Sequence, residues 1–221
     1  TISILSASAT LEDVRSAIRA EYLSSTPSPQ FGEWVGSLGR DGRWSDIDYT
    51  DGSRSLWQLE KHLDRIVGMS LAYEQAPRKD KKTHQAIVRA LSHWFDTGYR
   101  NGNWWYAKIG IPRRMLALAY ILDTDLPPTL HDSISKAISV IDSEDFPARP
   151  GGDRIQVISN HAKVLVWRRD FNGAASLFKK IEAEARIAPL EEIMLDAGGG
   201  PAVRNSWHPA GRGVQADMTF H

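Results

Sequence analysis

The sequence predicts an all-α fold built from helical hairpins. Three observations point there. Apolar residues recur at helical spacing through most of the text between residues 10 and 187. Prolines and glycines divide that text into segments of helix length. Hairpin-like pairs follow one another roughly every forty to fifty residues, which marks a helical array arranged as a solenoid or a ring. No tetratricopeptide or ankyrin consensus is visible, and a single domain over residues 1–221 accommodates the whole pattern.

The elements follow in order. Thr10-Leu11-Glu12-Asp13 resembles a capping box, with Val14, Ala17, Ile18 and Leu23 behind it. Residues 24–52 are rich in Ser, Pro, Gly, Asp and Trp and read as a long ordered loop, packed by Trp34, Trp44 and Tyr49. The first hairpin joins 53–76, with Leu56, Leu59, Leu63, Ile66 and Val67 on its core side, to 80–97, with Ile87, Val88, Leu91, Trp94 and Phe95. Gly98 is the stop. The second joins 111–122 to 128–142. Pro112 and Pro128 stand at its helix starts, where no amide hydrogen bond is lost. The third joins 155–169 to 173–187 across Asp170-Phe171-Asn172-Gly173. Ile155–Val166 is β-branched, but Ile158, Ala162, Leu165 and Val166 favour a helix. Residues 196–221, "DAGGGPAVRNSWHPAGRGVQADMTFH", are loop chemistry of the kind that builds active sites.

Bulk properties exclude several classes. The net charge is +0, so the chain as a whole does not advertise nucleic acid. No run of eighteen apolar residues offers a membrane span. Cysteine is absent, which removes disulfides, thiol catalysis and Cys-type zinc sites. No His pair has the spacing of a metal site such as HExxH. "GGGP" at 198–201 lacks the Lys-Ser/Thr of a phosphate loop. The start, "TISILSASATLEDV", shows neither an initiator Met nor a signal peptide, so a processed chain or an excised piece is expected.

The text "NGNWWYAKIGIPRRML", residues 101–116, carries the strongest functional signal. Neighbouring residues in a loop or strand point in different directions, so a core role for both Trp104 and Trp105 is awkward. An indole offers an apolar face and a polar N–H. Asn101 and Asn103 offer amide donors and acceptors. Two readings stand: loop-packing aromatics, or a platform for a flat ligand such as a sugar.

"NWWYAKIGIPRRML" resembles the Asn-Trp-Trp, then Glu-Ile-Gly-x-Pro, stretch of polysaccharide lyase family 8, which includes hyaluronate, chondroitin AC and xanthan lyases. Lys108 stands where that family has Glu, while Ile109, Gly110 and Pro112 match. "FPARPGGDRIQV", residues 146–157, looks like the family's Phe followed by Gly-Gly-Asn or Gly-Ala-Asn. "ADMTFH" resembles the Asp-Gly-Ser-aromatic run before its catalytic His. The three occur in the family's order, and the resemblance covers roughly residues 55–221.

The resemblance implies an incomplete α/α toroid with a long cleft for an acidic polysaccharide of chondroitin or hyaluronan type. Asn103, Trp104, Trp105 and Phe146 would seat the chain. The implied chemistry is β-elimination: a base takes the C5 proton of a uronic acid and the 4-linked oxygen leaves. The neighbouring carboxylate must be neutralised or hydrogen-bonded for that proton to become acidic. In the family an Asn of the Gly-Gly-Asn segment and a His do this, a Tyr moves the proton, and an Arg supports it. Secreted or periplasmic bacterial enzymes are implied too, with a C-terminal half of the toroid and β-sandwich domains beyond this chain.

Asp153 departs from the pattern, standing where Asn is expected. An ionised Asp beside a substrate carboxylate repels it. Three ways out are a protonated Asp153, a bridging divalent cation such as calcium, or a different amide, Asn160 or Asn205. The plain alternative is that Asp153 caps the helix starting near Ile155. His221 lies near the family's catalytic His, whose usual spacing falls slightly beyond the last residue, and the Tyr and Arg fall further on. The chain as given is therefore expected to lack the full catalytic set. Trp207 and His208 sit in the terminal loop and would line the same cleft or pack that loop. Arg113 and Arg114 would meet substrate anions or form a solvated helix face, and Arg149, Arg154, Arg204 and Arg212 add basic loops. His93 and His161 read as core or edge residues; His62 and His131 carry no motif. Two rival functions remain. One is an α/α-ring glycoside hydrolase using two acids among Asp46, Asp48, Asp153 and Asp217. The other is a non-catalytic glycan-binding helical domain.

Overall fold

The computed structural model describes residues 11–144 and 152–187, and every regular element among them is helical. The chain divides into two compact units. One holds the residues up to Val140 together with Val166–Arg169, and the other holds Ile141–Leu165 and the residues from Asp170 on. The helices are α1 (Leu11–Leu23), α2 (Phe31–Ser37), α3 (Glu60–Gln75), α4 (Lys81–Thr97), α5 (Ile111–Leu122), α6 (Pro128–Ser139), α7 (Gly152–Trp167) and α8 (Phe171–Ile187). A π-helical turn, Tyr106–Gly110, leads directly into α5.

In the first unit α5 is the central helix. Every residue from Arg114 to Leu122 is buried. A helix apolar on all sides must be surrounded, and α5 packs against α1, α3 and α6 while α3 also packs on α4. The last carbonyls of α5 find partners on α1. Arg19 donates from Nε to the Tyr120 carbonyl at 3.1 Å and from Nη2 to the Ile121 carbonyl at 3.2 Å. A cation is favoured there because the helix end carries partial negative charge.

α4 shows clean capping at both ends. The Asp80 carboxylate accepts from the Thr83 N–H at 2.7 Å. Gly98, at φ +66°, ends the helix as expected.

Three expectations need correction. Residues 24–52 are not all loop, because α2 forms within them. Trp44 and Tyr49 do pack the stretch: the Trp44 indole N–H donates to the Trp34 carbonyl at 2.9 Å. Leu56 was expected on the core side of the first hairpin. It is instead 91% exposed with φ +53°, and α3 begins only at Glu60. A left-handed backbone costs a non-glycine residue about 1–2 kcal/mol, and burial returns nothing to Leu56. Finally, Pro112 stands in the first turn of α5 as expected, but α5 is not entered from a loop. The helix starts at Trp104 and passes through Pro112. Proline brings no N–H, and its ring collides with the carbonyl four residues back. The turn before it widens instead, with the Ile111 N–H bonding to the Tyr106 carbonyl five residues earlier.

In the second unit, α7 is a helix despite its β-branched residues. Ile158, Ala162 and Leu177 form the core, with Leu165 and Ile181 packed against it. The Asp170 carboxylate accepts the Gly173 N–H at 3.0 Å and so caps α8.

Candidate functional site

The site begins with Asn103. Its Oδ1 accepts the Trp105 N–H at 3.0 Å, so Asn103 caps the helix that carries both tryptophans. Its Nδ2 donates to the Arg54 carbonyl at 2.6 Å. Asn101 repeats the pattern: Nδ2 donates to the Ser53 carbonyl at 2.8 Å and Oδ1 accepts the Asn103 N–H at 2.8 Å. The two amides therefore hold the turn and bind the 53–54 backbone to it. Among the described residues each retains one N–H and one acceptor lone pair.

Trp104 and Trp105 are both half-buried and occupy the first turn of that helix, not a loop. The Trp105 ring lies along its own helix, towards the residues that follow it. It meets Tyr106 edge-on, with centroids 5.3 Å apart, and the Arg113 guanidinium lies 5.7 Å from its centroid. Gly110 makes this possible. A Cβ there would sit 2.7 Å from Cζ3 of Trp105 and 3.2 Å from Cε3.

Two opposed effects meet at Gly110, whose φ of −61° is helical. Alanine gains about 1 kcal/mol of helix propensity over glycine, but its methyl displaces the Trp105 ring. Gly110→Ala is therefore expected to leave the unfolding midpoint nearly unchanged while altering the near-ultraviolet circular dichroism of the Trp105–Tyr106 pair. An unchanged spectrum would refute this packing role.

Beneath the turn, Tyr106 and Arg114 are buried. The Tyr106 hydroxyl accepts the Trp57 N–H at 3.1 Å. Arg114 was expected to face substrate or solvent; it faces inward. It bonds to Asp64 through Nε at 2.6 Å and Nη2 at 3.1 Å, and pairs with Glu60 at 2.5 Å. Its Nη1 donates to the Gly110 carbonyl at 2.9 Å, pinning the end of the π-turn. Burial holds the Glu60 carboxyl above its usual range, although Arg114 pulls the other way. The doublet Arg113-Arg114 looks uniform in sequence, yet one residue lies over an indole and the other is core. Adjacent positions on a helix face about 100° apart, and that separates them.

The tryptophan turn, with its Asn caps, lies inside the match to a family model described as "Polysaccharide lyase family 8, N terminal alpha-helical domain", which covers residues 33–159. That is more than half of the chain. The chain belongs to polysaccharide lyase family 8. It is 27% identical to the chondroitinase-AC of Pedobacter heparinus over 84 residues, 37% of this chain and 12% of that protein. Its fold is similar to a chondroitinase AC lyase solved in complexes with oligosaccharide, with a TM-score of 0.66 and 17% identity over 77% of this chain and 26% of the other. It is also similar to the chondroitin AC lyase of Streptomyces coelicolor A3, solved with chondroitin sulphate (TM-score 0.60, 19% identity, 77% and 27% covered), and to a Paenibacillus xanthan lyase (0.57, 18%, 79% and 17%). The chain thus spans about a quarter of the length of the chondroitin AC lyases, and less of the xanthan lyase.

The remaining candidates of this family 8 chain lie on α7 or outside the described residues. Asp153 sits inside the first turn of α7, which begins at Gly152; it does not cap a helix at Ile155. A carboxylate there is favoured by the helix dipole. Arg154 follows it, half-buried. Asn160 lies two turns further on and is only 9% exposed; its Nδ2 has no hydrogen-bond partner among the described residues. Such a buried donor is costly to leave unmatched. His161 accepts the Ser143 N–H at 3.1 Å through Nδ1 and acts as an edge residue. Phe146, Arg149, Arg204, Asn205, Trp207, His208, Arg212, Asp217 and His221 lie outside the described residues.

Calcium takes six to eight oxygens. Among the described residues no three His, Asp or Glu side chains gather to form such a donor set, Asp153 included. Asp46 and Asp48, offered as hydrolase acids, are committed elsewhere. Asp46 pairs with Arg65 through both oxygens, at 2.8 and 2.5 Å. Asp48 accepts the N–H and the hydroxyl of Thr50. Among the described residues no helix is long and apolar enough to cross a membrane.

Proposed function

We propose that this chain is the glycan-seating helical part of an incomplete α/α toroid, in a lyase that cleaves a uronic-acid-containing glycosaminoglycan of chondroitin or hyaluronan type by β-elimination. The observation that carries this reading is the Asn103-capped turn presenting Trp104 and Trp105 within the family match. Half-buried indoles offer C–H-stacking faces, and the spare amide valences of Asn101 and Asn103 suit sugar hydroxyls. Arg113 adds a cation beside the platform for a carboxylate or sulfate.

Elimination needs the substrate carboxylate to lose its negative character as the C5 proton leaves. An amide donor does this without adding charge. Asn160 suits that assignment better than Asp153, because its amide adds no charge while an Asp153 carboxylate would repel the substrate. No step is assigned to a metal. Base and acid work fall to groups outside the described residues, His221 among the candidates. A bacterial secreted or periplasmic setting accompanies this reading.

The test uses the full natural polypeptide with chondroitin sulfate and with hyaluronan, following the ultraviolet absorbance of unsaturated uronate, with and without chelator. Trp104→Ala and Trp105→Ala are each expected to lower kcat/KM by roughly ten- to a hundredfold, the scale of about 1.4–2.8 kcal/mol of lost stacking. Reducing ends without absorbance would mean a hydrolase. Binding without any product would mean a non-catalytic glycan-binding domain.

A further inference from the structure

The segment Ser53–Leu56 lies against the tryptophan turn and is solvent-exposed at all four residues. Exposed loops are ordinarily loose, but this one is held along its length. Asn101 and Asn103 grip the Ser53 and Arg54 carbonyls at 2.8 and 2.6 Å. The Tyr106 hydroxyl takes the Trp57 N–H at 3.1 Å, and the Trp57 indole N–H reaches the Asp51 carbonyl at 2.9 Å. The Asp51 carboxylate closes the frame by accepting the N–H groups of Ser53 and Gln58, at 2.9 and 2.7 Å. The amides that fix this loop are the same ones that cap and order the helix of Trp104 and Trp105. Loop and platform are one rigid piece.

What the frame displays is unusual for a structural turn. Leu56 is 91% exposed at φ +53°, a position glycine or asparagine takes without strain. Arg54 is exposed and forms no ion pair among the described residues. Strained backbone that its surroundings hold in place clusters at active sites and ligand clamps.

We propose that Ser53–Leu56 forms a second wall of the glycan site. Leu56 packs against the C–H face of the sugar next to the one on the tryptophans, and Arg54 binds an anionic group of that sugar, carboxylate or sulfate. This rests on the reading that Trp104 and Trp105 seat a glycan. It adds a binding and specificity role to residues that no motif marks.

Arg54→Ala, Arg54→Lys and Leu56→Gly, made in the full natural polypeptide, test it against Trp105→Ala and wild type. Steady-state turnover and direct binding of chondroitin oligosaccharides are measured at two salt concentrations, together with thermal unfolding. Arg54→Ala is expected to raise KM and the oligosaccharide Kd about tenfold, with kcat within about twofold and a shallower salt dependence. Arg54→Lys should recover part of this. Leu56→Gly should unfold at the same or a higher temperature, since it relieves the backbone, yet raise KM severalfold. An Arg54→Ala effect confined to sulfated oligosaccharides identifies sulfate as the anion; one that persists on unsulfated chondroitin identifies the carboxylate. Wild-type KM and Kd in all three variants, with Trp105→Ala impaired, overturns the second wall and leaves the platform standing. A wild-type protein that neither cleaves nor binds these glycans overturns both.

Discussion

Arg114→Ala is expected to lower the unfolding free energy by about 3 kcal/mol, and to loosen the tryptophan turn as well. Removing one partner of a buried ion pair leaves the other charge uncompensated. Here Glu60 and Asp64 both lose their cation, and two carboxylates are left near each other. The figure sits at the lower end of the range for buried pairs because the Asp64 side chain is 54% exposed and partly solvated. The Gly110 carbonyl also loses its Arg114 donor, so the π-turn loses a restraint just where Trp105 rests. Equilibrium urea unfolding of Arg114→Ala and of Arg114→Ala/Asp64→Asn decides the matter. The second substitution should restore part of the loss by removing the stranded charge. No recovery would mean that packing, not charge, sets the cost.

Acidification is expected to remove up to about 3 kcal/mol of stability through His62 alone. His62 is fully buried in α3. Its Nε2 lies 3.1 Å from the Ala90 carbonyl, which only accepts, so that nitrogen carries the proton. Nδ1 must then accept the Tyr49 hydroxyl proton at 2.9 Å, and Tyr49 in turn accepts the Trp44 N–H at 3.0 Å. The ring also stacks on Trp94 at 5.6 Å. Every polar atom is satisfied with the ring neutral, and burial pulls the imidazole down to about 4 from 6.5.

The folded state therefore binds fewer protons than the unfolded chain between these values. Stability from His62 is complete above pH 6.5 and falls as pH drops towards 4. His93, held down by burial and by Arg43, acts in the same direction. Carboxylates with lowered values, such as Asp46, Asp51 and Asp80, act at more acidic pH and do not share this window. Unfolding free energies at pH 7.5 and 4.5 should differ by about 2–3 kcal/mol, and His62→Gln should flatten the slope. An equal slope in His62→Gln would assign the effect to other groups.

Helix identity was legible because period and punctuation agreed. In α4 an acidic cap, an apolar stripe and a terminal glycine all signal one element, and the structure follows them. The tryptophan turn stood out in the sequence, but not as a helix. Pro112 normally starts a helix, and sequence does not reveal that the preceding turn can widen to admit it. Leu56 was misread for a related reason: an apolar residue at helical spacing counts towards a stripe, and only its backbone geometry shows that it faces water. Asn160 could be suspected as an amide, but its unmatched donor is a property of burial in three dimensions. His62 carried no motif, because its role depends on partners 13 and 28 residues away.

The π-turn has a consequence for how the platform is aimed. An α-helix advances about 100° per residue, so one surplus residue in a turn changes the rotational phase of everything before it relative to everything after. The phase of α5 is locked by its buried surroundings on all sides. The direction of Trp104 and Trp105 relative to α5 is therefore set by the number of residues in the turn that Pro112 widens. Deleting the exposed Ala107 would shorten the turn by one residue and swing both indoles by about a quarter turn relative to α5, returning the Pro112 ring to the carbonyl four residues back. Replacing either indole cannot reproduce that rotation, so insertions and deletions here redirect the platform while changes at the tryptophans only tune its strength.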